Sequence, residues 1–402
     1  MSRILLLLPT GTYRATDFLA AAAHLGADVV VGSEHPQALA EFLGDRAVVV
    51  PLDAVDAAVE AIVALDRRTP LDAVLAVDDQ GLEVAAAAAK RLGLRHNPPE
   101  AVAATRDKAR MRDCLAAASV PQPVYRIVAR DGDVVLAASE VGYPCVVKPV
   151  SRSGSQGVIR VDNATQAAAA GVRIHAILGD GPEPLLVERF VPGAEVAVEG
   201  LLVGGRLEVL AVFDKPDPMD GPFFEETIYV TPSGQPPPII ADIEATAARA
   251  AAALGLREGS VHIELRIGAA GVVTILELAA RSIGGLCARA LRFGAGVSLE
   301  EVIVRHALGL GLDGLAREPL ASGVMMLPIR SAGVLDKVSG QARALAIEGV
   351  VGVEISIAPG RPVIPLPEGD RYLGFLFARG PTAKVVEDVL RRAEACLDVR
   401  LR

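Results

Sequence analysis

The chain has 402 residues, 40 of them basic and 49 acidic, for a net charge of −9. That balance excludes nucleic acid or anionic lipid as the main partner, because both demand a basic footprint. Hydrophobic residues at 51% and charged ones at 22% exclude a disordered chain and leave material for roughly two or three domains. From the N-terminus, Arg3–Leu8 reads as strand, Ala15–Leu25 as helix and Asp28–Val31 as strand. A short strand at Val48–Val50, a helix at Ala54–Asp66, a strand at Ala73–Val77 and a helix at Leu82–Leu92 follow. Strand–helix alternation at this spacing predicts a parallel sheet covered on both faces. The turn Pro9–Thr12 lacks a G-x-G-x-x-G pattern. It reads either as a threonine-capped turn or as an anion site at a helix start.

Asn97-Pro98-Pro99 marks a boundary, since consecutive prolines stop helices. A charged helix is expected from about Arg106 to Ala118, then strands near Val124–Ala129, Cys145–Pro149, Gly157–Val161 and Leu185–Phe190. Antiparallel strands follow at Glu195–Val203 and Leu207–Asp214, then a proline-rich loop from Pro232 to Pro238 and a helix at Ile239–Leu254. Ser260–Ile267 and Val272–Leu278 read as a strand pair. The last part has strand-like Gly323–Pro328, Val350–Ile357 and Leu373–Arg379, closed by an amphipathic helix over Thr382–Leu397. The longest uncharged stretch, Thr227–Ala241, contains four prolines and is too short to span a bilayer, and the short apolar run Ile4–Leu8 reads as a strand and not a signal peptide. Cys114, Cys145, Cys287 and Cys396 form no C-x-x-C, which fits unpaired thiols in a reduced cytoplasm. The histidines lack zinc-site spacing.

Several residues carry chemistry. Lys148 ends an apolar strand, where it either meets a ligand anion or snorkels to water. Ser151-Arg-Ser-Gly-Ser-Gln-Gly157 follows at once, and such a loop lets backbone N–H groups approach phosphate oxygens. Glu188 and Glu195 flank a Pro192-Gly193 turn, where carboxylates suit ribose hydroxyls or simply face solvent. Glu264 and Glu277 lie on consecutive strands, and a hairpin through Gly268–Gly271 would set them side by side. Neighbouring carboxylates repel unless a cation lies between them, which Mg²⁺ with nucleotide phosphates would supply; the alternative is pairing with Arg266 and Arg281. Met325 and Met326 read as core.

In the order Lys108, Lys148, Gly/Ser loop, Glu188, Glu195, Glu264, Glu277 and Arg281, residues 1–310 resemble the ATP-grasp superfamily of carboxylate–amine ligases. Within it the chain is most similar to the dipeptide-forming L-amino-acid ligase branch, whose extra C-terminal domain Gly323–Leu397 resembles. The resemblance implies an α/β ATP-grasp fold in four units. These are a parallel α/β domain over 1–100, a linker helix and small α+β lid over 101–190, an antiparallel-sheet catalytic core over 191–315 and a C-terminal α+β domain over 316–402. It implies ATP and Mg²⁺ as cofactors, with Lys108 and Lys148 on the phosphates. Ser151, Ser153, Gly154, Ser155 and Gly157 would form the lid loop. Glu188, Arg189, Phe190 and Val191 would lie at the adenine edge, Glu195 at the ribose, and Glu264 and Glu277 on the metal.

Arg281, with Lys148 as the other catalytic residue, would steady the acyl-phosphate. Glu226 and Tyr229, in a segment that also reads as an ordinary strand, would face the amine together with Gly284 and Gly285. Lys215 stands just ahead as a further candidate. The family often has Asn two residues after the second Glu; Ala279 stands there, which bears on a second magnesium. Small-molecule carboxylate and amine substrates, amino acids above all, no nucleic acid or membrane partner and a homodimer are expected. Two other readings stand beside it. One is a carboxylase or thiol-acceptor ligase on the same scaffold, although no biotin-carrier-like segment is visible in the sequence. The other is a nucleotide-binding module without catalysis, for which Ala279 speaks.

Overall fold

The computed structural model describes residues 2–36 and 44–402. The strands Arg3–Leu7, Asp28–Ser33, Ala47–Val49 and Ala73–Ala76 form a four-stranded sheet in the order third, second, first, fourth, with every pairing parallel. The run Arg-Ile-Leu-Leu-Leu is apolar without alternation because both of its faces are covered. Ile4 and Leu6 join a core with Phe18, Ala22 and Phe293, whereas Leu5 and Leu7 pack with Ile62, Leu65 and Ala85. The helices Ala15–His24, Val55–Arg68 and Leu82–Leu92 supply those covers.

Pro99 does not stop a helix; it starts one, Pro99–Arg106. A proline at the first helical position loses nothing, since its missing N–H would have had no partner there. The charged helix expected from about Arg106 to Ala118 is Lys108–Ala117, and the helix Pro99–Arg106 precedes it without having been expected, the two meeting at Asp107. The Asp107 carboxylate caps the second helix, Lys108–Ala117, by accepting from the N–H groups of Ala109 at 2.8 Å and Arg110 at 3.2 Å.

A second four-stranded sheet, entirely antiparallel, runs Tyr125–Val128, Leu185–Arg189, Cys145–Pro149, Ile159–Val161. The helices Val134–Val141 and Ala164–Leu178 cover it, capped by Asp133 and Asn163. The largest sheet has eight strands, all antiparallel: Val273–Ala279, Gly259–Ile267, Ala194–Val203, Arg206–Lys215, Ile228–Thr231, Ala321–Leu327, Gly374–Gly380, Val350–Ile355. Helix Pro237–Ala253 buries Ile243, Ala247 and Ala250 against one part of it, and helix Ala383–Glu394 buries Val386, Leu390 and Ala393 against the other. Met325 and Met326 are core residues, as their sequence context suggests. Strands from the C-terminal part thus continue the central sheet, and a separate three-stranded sheet holds Pro362–Val363, Gly333–Ser339 and Asp398–Leu401. Among the described residues no helix is long and apolar enough to cross a membrane.

Candidate active site

A cleft of about 570 Å³ opens where the three larger sheets meet. Its walls carry Lys108, Lys148, Ser153, Gly154, Ser155, Glu188, Arg189, Phe190, Val191, Glu195, Glu226, Tyr229, Glu264, Glu277, Arg281, Gly284 and Gly285. Ser151 and Gly157 do not line it. The Ser151 N–H and hydroxyl both turn to Glu183, at 2.8 and 2.9 Å, and the Gly157 N–H donates to the Pro367 carbonyl at 2.9 Å. The Pro9–Thr12 turn does reach the cleft, and the Thr12 hydroxyl caps the N–H of Arg14 at 3.1 Å.

Lys148 neither snorkels nor stands alone. Its ammonium lies 2.6 Å from one Glu188 oxygen, and the fully buried Arg112 grips the other. Burial disfavours the Glu188 charge, but Arg112 and Lys148 override it and hold the carboxyl at about 2. Burial pushes the Lys148 ammonium down. Glu188, placed by resemblance at the adenine edge, thus anchors a lysine and an arginine. The main-chain groups beside it are also engaged. The Arg189 N–H donates to Val124 O at 2.8 Å, the Phe190 N–H to Pro144 O at 3.0 Å, and the Val191 carbonyl accepts from Arg266 at 2.7 Å. The guanidinium groups of Arg160 and Arg266 sit 4.4 and 4.9 Å from the Phe190 ring centre.

Lys108 reaches two places. Its ammonium donates to the Arg152 carbonyl at 2.6 Å and lies 3.0 Å from Glu277, so it ties the Gly/Ser loop to the acid pair. Gly154, Ser155 and Gly157 have left-handed φ values of 62, 58 and 73°, the conformation in which a small-residue loop turns back on itself. Glu264 and Glu277 are direct partners in the antiparallel ladder, with the turn closed by a Gly271-to-Gly268 hydrogen bond of 2.8 Å. Arg266 and Arg281 are not their partners. Arg266 goes to Glu195 at 2.9 Å, and Arg281 makes a fork of 3.0 and 2.9 Å with Asp79.

At the other end of the cleft, Glu195, Glu226 and Glu264 bring carboxylate oxygens within 4.8 Å of one another. Lys215 stands among them, at 2.7 Å from Glu195, 2.7 Å from Glu226 and 3.7 Å from Glu264. Burial would strip the Lys215 charge, yet these carboxylates raise its pKa well above the ordinary value. Burial raises the Glu264 carboxyl, whereas Lys108 and Lys148 lower that of Glu277 against its own desolvation. Glu226 also accepts from the hydroxyls of Tyr229 at 2.5 Å and Tyr372 at 3.1 Å. The imidazole of His262, buried and bonded to Glu199 at 3.2 Å, is lifted by Glu199 and Glu264 to about 9 against its desolvation. Gly285 is required by close approach, because a Cβ there would lie 2.8 Å from the Phe375 ring, and its φ of 59° is left-handed.

Asp79, Arg112, His262 and Tyr372 were not singled out from sequence. Only Asp79 had a local signal: it follows a parallel strand at its carboxyl end, where ligands gather in α/β sheets. Oxygen donors on opposed strands suit a hard cation, so Glu264 and Glu277 fit magnesium beside Lys108, while Glu195 and Glu226 each hold the Lys215 ammonium at 2.7 Å.

Three family models match the chain: an ATP-grasp N-terminal domain over residues 19–96, an ATP-grasp domain over 141–290 and an L-amino acid ligase C-terminal domain 2 over 325–402. The alanine–anticapsin ligase of Bacillus subtilis is 28% identical over 246 residues, covering 56% of this chain and 52% of that protein. The chain spans about half the length of such curated relatives. The crystal structure of an L-amino acid ligase from Bacillus licheniformis superposes with a TM-score of 0.85 at 23% identity, over 100% of this chain and 99% of the other. An N5-carboxyaminoimidazole ribonucleotide synthetase from Thermotoga maritima superposes at 0.75 and 18% identity, with both chains fully covered. These likenesses show the ATP-grasp fold.

Proposed function

For a chain that carries an ATP-grasp domain and an L-amino acid ligase C-terminal domain, we propose an ATP-dependent, ADP-forming carboxylate–amine ligase that joins two amino acids. The observation that supports it most is one cleft in which Lys108, Lys148 and the opposed pair Glu264 and Glu277 face Arg281 and Glu226. The relatives' printed names, alanine–anticapsin ligase among them, and the C-terminal domain favour amino acids on both sides.

In this reading a substrate carboxylate oxygen attacks the γ-phosphorus of ATP, the bond to ADP breaks and an acyl-phosphate forms. The amine, having given up a proton, then attacks the carbonyl, and phosphate leaves. Lys108 and Lys148 hold phosphate oxygens, and Glu264 and Glu277 would hold magnesium. Bound there, the metal supplies neutralisation of the charge spread over those oxygens. Arg281, aimed by Asp79, steadies the anionic intermediate. Glu226, with Tyr229 on it, faces the amine, and Gly284 and Gly285 line the cleft beside it. The loop Ser153–Ser155 covers the phosphate end and keeps water from the acyl-phosphate.

The test is a phosphate-release screen of amino acids, singly and in pairs, with ATP and Mg²⁺, followed by hydroxylamine trapping. Hydroxamate formation with ADP as co-product is expected. AMP and pyrophosphate would overturn the mechanism, and turnover with bicarbonate and a single amine alone would make the protein a carboxylating enzyme.

A further inference from the structure

The lid loop is held by a segment far along the chain. Between strands Pro362–Val363 and Gly374–Gly380 the chain makes a tight turn, closed by the Gly369 N–H donating to Pro365 O at 2.9 Å. A Cβ on Gly369 would lie 2.1 Å from the Ile364 carbonyl oxygen, so the turn needs glycine. The Pro367 carbonyl accepts from Gly157, and the Glu368 carbonyl accepts from the Gln156 side chain at 2.9 Å. The Glu368 carboxylate takes a fork from Arg173, at 2.6 and 2.9 Å, and Arg173 lies 5.0 Å from the Phe223 ring centre. Four residues on, Tyr372 donates to Glu226 inside the cleft. One turn of the C-terminal part therefore touches the lid loop with one end and the amine end of the cleft with the other.

We propose that Glu368 is a positioning residue. Through Arg173 and the adjoining carbonyls it fixes the lid loop over the phosphate end while Tyr372 of the same turn seats on Glu226, so closure of the lid and assembly of the amine end are one event. This rests on the ligase reading. Its chemical purpose is exclusion of water: a lid released from Glu368 exposes the acyl-phosphate, whose carbonyl water attacks in place of the amine, giving free acid and phosphate without amide. An exposed ion pair is ordinarily weak, but a two-pronged fork beside two carbonyl contacts is the geometry in which such a pair counts.

The test uses the full chain with Glu368→Ala, Arg173→Ala and the exchange Glu368→Arg with Arg173→Glu. Both side chains are partly exposed, at 41% and 45%, so the fold tolerates the changes. Two quantities are read: amide hydrogen exchange over residues 151–157 without substrates, and phosphate released per amide formed with the best amino-acid pair. In each single variant, exchange should rise about 3- to 10-fold and phosphate should exceed amide by a similar factor; the exchanged pair should restore both. Unchanged exchange, or failure of the exchanged pair to restore it, overturns the proposal. Faster exchange with phosphate and amide still equal makes the contact a structural brace and overturns it as well. If the wild-type chain forms no amide with any pair, the ligase reading fails, and the exchange measurement still decides the contact to the lid.

Discussion

In the proposed ligase Arg281 meets a developing negative charge, and the residue that holds its guanidinium is Asp79. Its carboxyl is held well below the ordinary range by Arg281 and Arg106 despite burial, so it is charged at any working pH. Asp79→Asn should leave nucleotide affinity intact and slow amide formation about tenfold, as stopped-flow and product assays would read. Glu277→Ala should abolish turnover and remove Mn²⁺ binding seen by paramagnetic resonance. Glu188 has a pH signature. Its carboxyl drops from an ordinary 4.5 to about 2 on folding, so its contribution is present above about pH 4.5 and is lost as pH falls towards 2. Glu188→Gln should cost about 3–5 kcal/mol near neutrality, because Arg112 and Lys148 lose their counter-charge, and its melting should lose the wild-type slope over that acid window. At this scale the sequence was half legible. A lysine ending an apolar strand and acids inside apolar strands announce themselves; their partners do not, since Arg112 stands 76 positions from Glu188 and Asp79 stands 202 from Arg281.

Elements whose pattern is local were readable, and those that depend on tertiary cover were not. The Gly268–Gly271 turn between two apolar strands fixed the hairpin, and with it the register that opposes Glu264 to Glu277. Helix Leu82–Leu92 ends at Gly93, whose φ of 70° closes it, and its bounds were read without error. Helices Val134–Val141, Ala164–Leu178 and Leu299–Ala307 went unread, because Val- and Ala-rich runs look alike in strand and helix until their caps Asp133, Asn163 and Ser298 are weighed. The Pro192-Gly193 turn does more than its composition says. Gly193 has a φ of 125°, and a Cβ there would lie 2.0 Å from the Ile267 carbonyl oxygen. Gly193→Ala should therefore destabilise by about 2–4 kcal/mol, measurable as a lower denaturant midpoint.

Across the whole molecule, the feature no local pattern revealed is that the C-terminal strands finish the central sheet. Ala321–Leu327 pairs with Ile228–Thr231 on one side and Gly374–Gly380 on the other. A chain truncated after residue 320 should lose these strands, leave Ile228 and Val230 without cover and fail to give soluble folded protein, as circular dichroism and gel filtration would show. That ladder also bears on how such proteins diversify. A tail hydrogen-bonded onto one side of a sheet that earlier strands begin is not a bead on a string: grafting it from one homologue onto another means splicing between paired strands, and matched sets of side chains on both sides of the seam have to travel together.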